Sequence, residues 1–129
     1  MAYEIPVLTH SLVAGGDLSS SKYKFVKLNS SGQVVDIAAV TDIPIGVLQN
    51  APGSGGLAEV MMVGISKLQG DADLAKGNQI GTSSDGQAAS YAAGTDTTKY
   101  IVGQVLDDNS AAGGLITAAI NCLNPHRAA

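Results

Sequence analysis

His10 and Ser11 are neighbours in the sequence, and His126 stands near the C-terminal end; no other histidine is present. Acid–base or nucleophilic catalysis needs titratable groups gathered in space. A Ser beside a His is not a triad, which is defined by geometry. Gly70-Asp71-Ala72-Asp73-Leu74-Ala75-Lys76-Gly77 has the outline of a phosphate-binding loop. That loop requires Gly before the Lys and Ser or Thr after it, where this chain has Ala75 and Gly77. Asp71 and Asp73 open a calcium-loop spacing, but Lys76 stands at the position that needs Gly, and Thr82 at the position that needs Glu. The segment reads as a polar turn. No catalytic, cofactor or metal site is expected.

Two further groups carry chemistry in other settings. Ala58-Glu59-Val60-Met61-Met62 is similar to the Met-Lys-Met hairpin of biotin and lipoyl carrier domains, but the acceptor lysine between the methionines is missing. Lys67 lies beyond Gly64 and cannot replace it. A strand with Met filling irregular gaps is the reading that remains. Cys122, the single cysteine, rules out an internal disulfide and sits in the apolar run Leu115 to Leu123, where a buried thiol is expected.

The elements that would position any site come from composition and pattern. The 129 residues suit one compact domain, and 45% are hydrophobic, with no Trp and one Phe. Seven Lys and Arg stand against eleven Asp and Glu, a net charge of −4, with no basic stripe to hold nucleic acid. Only 14% of residues are charged, well under the usual quarter or so. A surface of Ser, Thr, Gly, Asn and Ala costs little to desolvate and suits a life packed against other proteins. The first residues lack a basic segment followed by an apolar stretch, so no signal peptide is expected. No apolar run reaches the roughly 20 residues of a membrane span.

Pro6 biases Ile5 toward extended backbone, and Gly15-Gly16 and Ser19-Ser20-Ser21 break the chain after it. Residues 1–21 are therefore expected to form an extended N-terminal arm. Tyr23 to Leu28 and Gln33 to Ile37 flank the turn Asn29-Ser30-Ser31-Gly32 and predict a hairpin. Ile45 to Leu48 and Leu57 to Val63 predict two more strands, separated by the Gly-rich turn Asn50 to Gly56. Asp71 to Gly77 allows one helical turn ending on a Gly cap. Nothing else holds a helical period, so helix content should be small.

The second half repeats the first. Leu28 to Gln33 matches Gly81 to Gln87 around the turn, Thr41-Asp42 matches Thr95-Asp96, Ile45 to Leu48 loosely matches Val102 to Leu106, and Gly55-Gly56-Leu57 matches Gly113-Gly114-Leu115. A Gly/Ser/Ala-rich composition inflates such matches, and chance is the alternative account. Taken as a repeat with a period of about 55 residues, residues 22–64 and 77–123 form two similar β units within one domain over 22–124. They would close into a small β-barrel or sandwich, with 125–129 as a tail.

Several stretches together resemble the decoration, or structural cement, proteins of tailed bacteriophages. They are Pro6 to Ser11, Tyr23 to Gly32 (YKFVKLNSSG), Ile45 to Pro52, Ala58-Glu59-Val60 with Gly64 to Lys67, Asp85-Gly86-Gln87 and Ile101 to Leu106. The resemblance spans nearly the whole chain in order. It implies a non-enzymatic virion protein on the capsid exterior, partnered with the major capsid protein and with itself as a homotrimer. Neither a cofactor nor nucleic acid nor membrane enters that role. Tyr3, Ile5, Pro6, Val7 and Leu8, an apolar and extended segment, are the expected contacts with shell or neighbouring subunit. A phage head-fibre or tail subunit, or a cell-surface or glycan-binding module using Tyr91 and Tyr100, are the competing expectations.

Overall fold

The computed structural model describes residues 2–72, 74–108 and 113–129. Among them the chain is strand and turn throughout, with no helix. The strands are β1 (Ile5–Val13), β2 (Phe25–Leu28), β3 (Val34–Asp36), β4 (Gly46–Leu48), β5 (Leu57–Gln69) and β6 (Gln79–Thr82). They continue with β7 (Ala88–Ser90), β8 (Tyr100–Ile101), β9 (Gly103–Asp107), β10 (Leu115–Asn121) and β11 (His126–Arg127). The mostly β fold expected from the sequence is the fold observed.

The two expected hairpins form, each closed by the same device. Asn29 Oδ1 accepts from the N–H groups of Ser31 and Gln33, at 3.0 and 2.9 Å, and Gly32 takes φ +75°. Ser83 Oγ accepts from the Gln87 N–H at 3.0 Å, and Gly86 takes φ +89°. A short polar side chain bonding its own backbone, followed by a left-handed Gly, is a turn that needs no tertiary support.

Two expectations are corrected. The strand expected over Leu57–Val63 runs on to Gln69. Gly64, which interrupts the apolar pattern, stays within it at φ +142°, because a Cβ there would sit 2.7 Å from the Ile5 carbonyl. The helical turn expected over Asp71 to Gly77 is absent from the described residues. Gly70 instead bridges to Ala88, Leu74 is drawn into the core, and Gly77 turns the chain at φ +86°. Asp73, part of the calcium-like spacing, lies outside the described residues.

The main sheet has the order β3-β2-β4-β5-β10-β9-β6-β7, with β1 added on β5 and a separate β8–β11 pair. From either end it reads hairpin, next strand, long strand. β1 and β10 both pair with Val63, Gly64 and Ile65, so they occupy opposite edges of β5. β5 is therefore common to both halves: its N-terminal part pairs with β1, its C-terminal part with β10.

Side chains follow the same equivalence. Ala14, Leu18, Val26, Val34, Leu48, Ala58 and Val60 form one core cluster. Their counterparts Leu74, Ile80, Ala88, Val105, Ile116 and Ala118 lie in the other. That second cluster also takes Phe25, Ile37, Val47 and Met61 from the first half. The backbone repeats too. Ile45 N–H donates to Val26 O as Val102 N–H does to Ile80 O, both at 2.9 Å.

Candidate interaction surface

β1 is anomalous. Its first seven positions, Ile5 to Ser11, are all exposed, and only Leu12 is half-buried. Alternation is absent from its sequence because neither face is covered from Ile5 to Ser11. Val7 is 74% exposed and Ile5 52%, with Tyr3, Leu8 and Val13 also open to solvent. Scattered apolar residues on a surface are ordinary, but a contiguous apolar strand marks an interaction site.

Two devices order β1. Its backbone pairs with β5 from Ile5↔Ile65 to Val13↔Leu57. Its leading residues are tied down separately: Tyr3 N–H donates to Thr117 Oγ1 at 3.1 Å, and Glu4 meets Lys67 Nζ at 3.5 Å. The Tyr23 hydroxyl donates to the same Glu4 carboxylate at 3.4 Å, and Lys22 and Lys67 flank the Tyr23 ring at 5.0 and 5.7 Å from its centroid. Tyr23 sits at φ +64°, a conformation that L-residues adopt at some cost. Its counterpart is Gly77: Tyr23 N–H donates to Leu48 O as Gly77 N–H does to Val105 O. The first half thus keeps a strained Tyr where the second uses Gly, and the Tyr faces the arm.

The outer edge of β1 divides in two. Ala14 bonds toward Gly55 and Gly56, so by strand alternation Thr9, Ser11 and Val13 turn their N–H and C=O groups away from β5. Nearer the start, Pro6 removes a donor and two register irregularities between Pro6 and Thr9 break the ladder. Pro and bulges blunt an edge against strand addition. The five residues expected to make contacts, Tyr3, Ile5, Pro6, Val7 and Leu8, thus offer side chains more than backbone.

The other sequence candidates stay apart. His10 is exposed on β1 and His126 on β11. Arg127 pairs with Tyr100 and Ala128 is buried, so the last residues lie along β8. Cys122 is buried, and loss of solvation pushes its thiol up to about 12. Met61 is core and Met62 is partly buried against the first-half cluster. Tyr91 donates to Thr82 O at 2.7 Å, and burial raises its pKa, with Asp71 and Asp96 adding to the effect.

A cleft of about 260 Å³ opens between β9, β10 and the C-terminal turn. Its walls include Gln104, Ala119, Ile120, Asn121, Asn124 and His126, an apolar floor with amide groups at the rim. No sequence signal marks it, since its residues come from β8, β9, β10, β11 and the turn before β11 and share no motif.

The described residues thus form an all-β domain with a doubled strand pattern and one strand whose first seven positions are exposed. The fold is similar to that in the crystal structure of the head fiber gp8.5 N base in bacteriophage phi29, with a TM-score of 0.64 at 19% identity over 89% of this chain and 94% of that one. No family model matches the chain. No curated protein matches it either.

Proposed function

We propose that this chain is a non-enzymatic structural protein of a tailed-phage virion, which binds the outside of the capsid and stabilises the shell. The observation that carries the reading is β1: an ordered, largely apolar strand exposed on both faces from Ile5 to Ser11. The fold likeness to a head-fibre base supports a virion setting, and the order of motifs along the chain supports decoration. A second reading, the base of a head fibre, is favoured by the name of that structural neighbour.

In the assembled layer Tyr3, Ile5, Pro6, Val7 and Leu8 contact the shell or a neighbouring copy. Burying Ile5, Val7 and Leu8 stabilises the contact by roughly 1.5–3 kcal/mol for each side chain fully covered. The usual opposing cost, about 1–2 kcal/mol of backbone entropy per ordered residue, is already met because β1 is held on β5 before docking. Many copies, assembled as trimers, would multiply a modest contact by avidity.

Electron microscopy of purified virions tests the reading. Density for this chain lying flat across shell-subunit junctions supports decoration; a projecting stalk above it supports the fibre base; absence from the virion rejects both. Deletion of residues 2–9 should abolish binding to empty capsids while the melting temperature falls by only a few degrees, since an irregular edge ladder, the Tyr3–Thr117 bond and the Glu4–Lys67 pair are lost but no buried core side chain is removed. Unchanged capsid affinity would reject the arm as a contact.

A further inference from the structure

The halves of the molecule make one apolar contact that is not repeated among the described residues. Phe25, Val47 and Met61, on the outer side of the first half, share a core with Leu68, Ile116, Ala118 and Ile120 of the second. The counterparts of Val47 and Met61 are Gln104 and Ala119, paired to each other as Val47 is paired to Met61. The counterpart of Gly46 is Gly103, and each lies against a backbone carbonyl, of Met61 and Ala119 respectively. Gly103, Gln104 and Ala119 line the cleft. So the surface that is covered in the first half is the open cleft in the second.

What covers it in the first half identifies the occupant. The cluster that takes in Phe25, Val47 and Met61 includes Leu68 from the C-terminal part of β5 and Ile116, Ala118 and Ile120 from β10. That part of β5 is the counterpart of β1. Ala14 bridges in parallel to Val34 as Gly70 does to Ala88, and Gly55 N–H donates to Ala14 O as Gly113 N–H donates to Gly70 O. Leu12 thus corresponds to Leu68. β1 is also the strand left exposed on both faces from Ile5 to Ser11, with Leu12 partly packed on the first-half core.

We propose that the cleft is a docking site for β1 of a second copy of this chain, in a head-to-tail contact that repeats between molecules the packing seen within one. The chemistry suits it. Ile5 to Val13 carries no acid, Lys or Arg, so it enters without stripping water from a carboxylate or ammonium group. Gln104 Nε2 already donates to Gly77 O at 3.1 Å and Asn121 Oδ1 accepts from Leu123 N–H at 3.2 Å, which leaves Gln104 Oε1, the Asn121 amino group and the Asn124 amide to meet its backbone, beside apolar contact from Ile120 and Ala119. Amides in place of the apolar Val47 and Val63 keep the cleft soluble while it is empty. Such a contact is heterologous: it closes a ring where the rotation allows. It holds independently of what the assembled copies bind.

The test uses the full chain in sedimentation equilibrium at about 100 μM, where a micromolar interface is occupied. Val7→Lys spoils the strand and leaves the cleft intact; Gln104→Lys spoils the cleft and leaves the strand intact. Wild type should exceed monomer mass. Each variant alone should be monomeric, its association weakened at least about tenfold. An equimolar mixture should form a dimer and nothing larger, since one good strand then meets one good cleft. If Gln104→Lys melts early, Asn124→Lys on the neighbouring turn takes its place. The proposal is overturned by a monomeric wild type, by a cleft variant that associates as wild type does, or by a mixture that stays monomeric.

Discussion

Asp42 shows how much a loop here depends on one carboxylate. Its Oδ2 accepts from Lys27 Nζ and from the N–H groups of Ala38 and Ala39, all at 2.9 Å. Burial pushes its pKa up, but the hydrogen bonds and the Lys27 charge outweigh burial and hold it below its ordinary 3.8. A depressed carboxylate contributes stability above its unfolded pKa and loses it as pH falls through the folded value. Acid melting should therefore begin below about pH 4. Asp42→Asn should lower stability by about 1–2 kcal/mol at pH 7, the scale of charged hydrogen bonds lost near a surface. It should also flatten the acid limb of a melting-temperature-against-pH curve. Asp96, the counterpart, accepts from Ala92 at 2.8 Å, so Asp96→Asn should cost less. Equal losses for the two would mean that the Lys27 and Ala39 bonds to Asp42, which Asp96 lacks, contribute nothing.

Strand by strand, the sequence shows what is local. Asn29-Ser30-Ser31-Gly32 and Ser83-Ser84-Asp85-Gly86 announce their turns because the bonds that close them lie within five residues, apart from the Gly86 contact with Phe25. β1 is legible as extended and apolar, but its pairing with residues some fifty positions away is not, since neither face leaves a period of two. Gly64 reads as a break because a Gly in an apolar run signals either a bulge or a close approach, and only the crossing of Ile5 and Pro6 decides between them. Of the interaction surface, Tyr3 to Leu8 is legible by composition; the cleft and the strained Tyr23 are not. Close approach can be measured. At Gly81 a Cβ would collide with the Tyr100 carbonyl, whereas at Gly53 nothing lies within 4 Å. Gly81→Ala should cost about 1–3 kcal/mol by overpacking. Gly53→Ala should stay within about 0.5 kcal/mol. Urea melts that rank the pair the other way would refute the packing of β6 against β8.

For the whole molecule the consequence of sharing is cooperativity. β5 is the last strand of one half and the first of the other, and Phe25 of the first half lies fully buried in the core of the second. The Phe25 N–H also donates to Gly86 O at 2.7 Å, tying β2 to the second hairpin. Neither half can lose its sheet without uncovering the other's apolar face, so one two-state transition is expected despite the doubled pattern. Phe25→Ala should cost about 3–5 kcal/mol, the scale for emptying an aromatic site in a packed core. The location of the loss is the sharper test. Native-state hydrogen exchange should show protection falling together at Val26 and Val60 in the first half and at Ile80 and Ile116 in the second, by the same free energy. Loss confined to the first half would mean that the halves open as separate units. It would also remove the packing logic that assigns the open cleft to a second copy, because that logic treats the contact between halves as a bond strong enough to recur between chains.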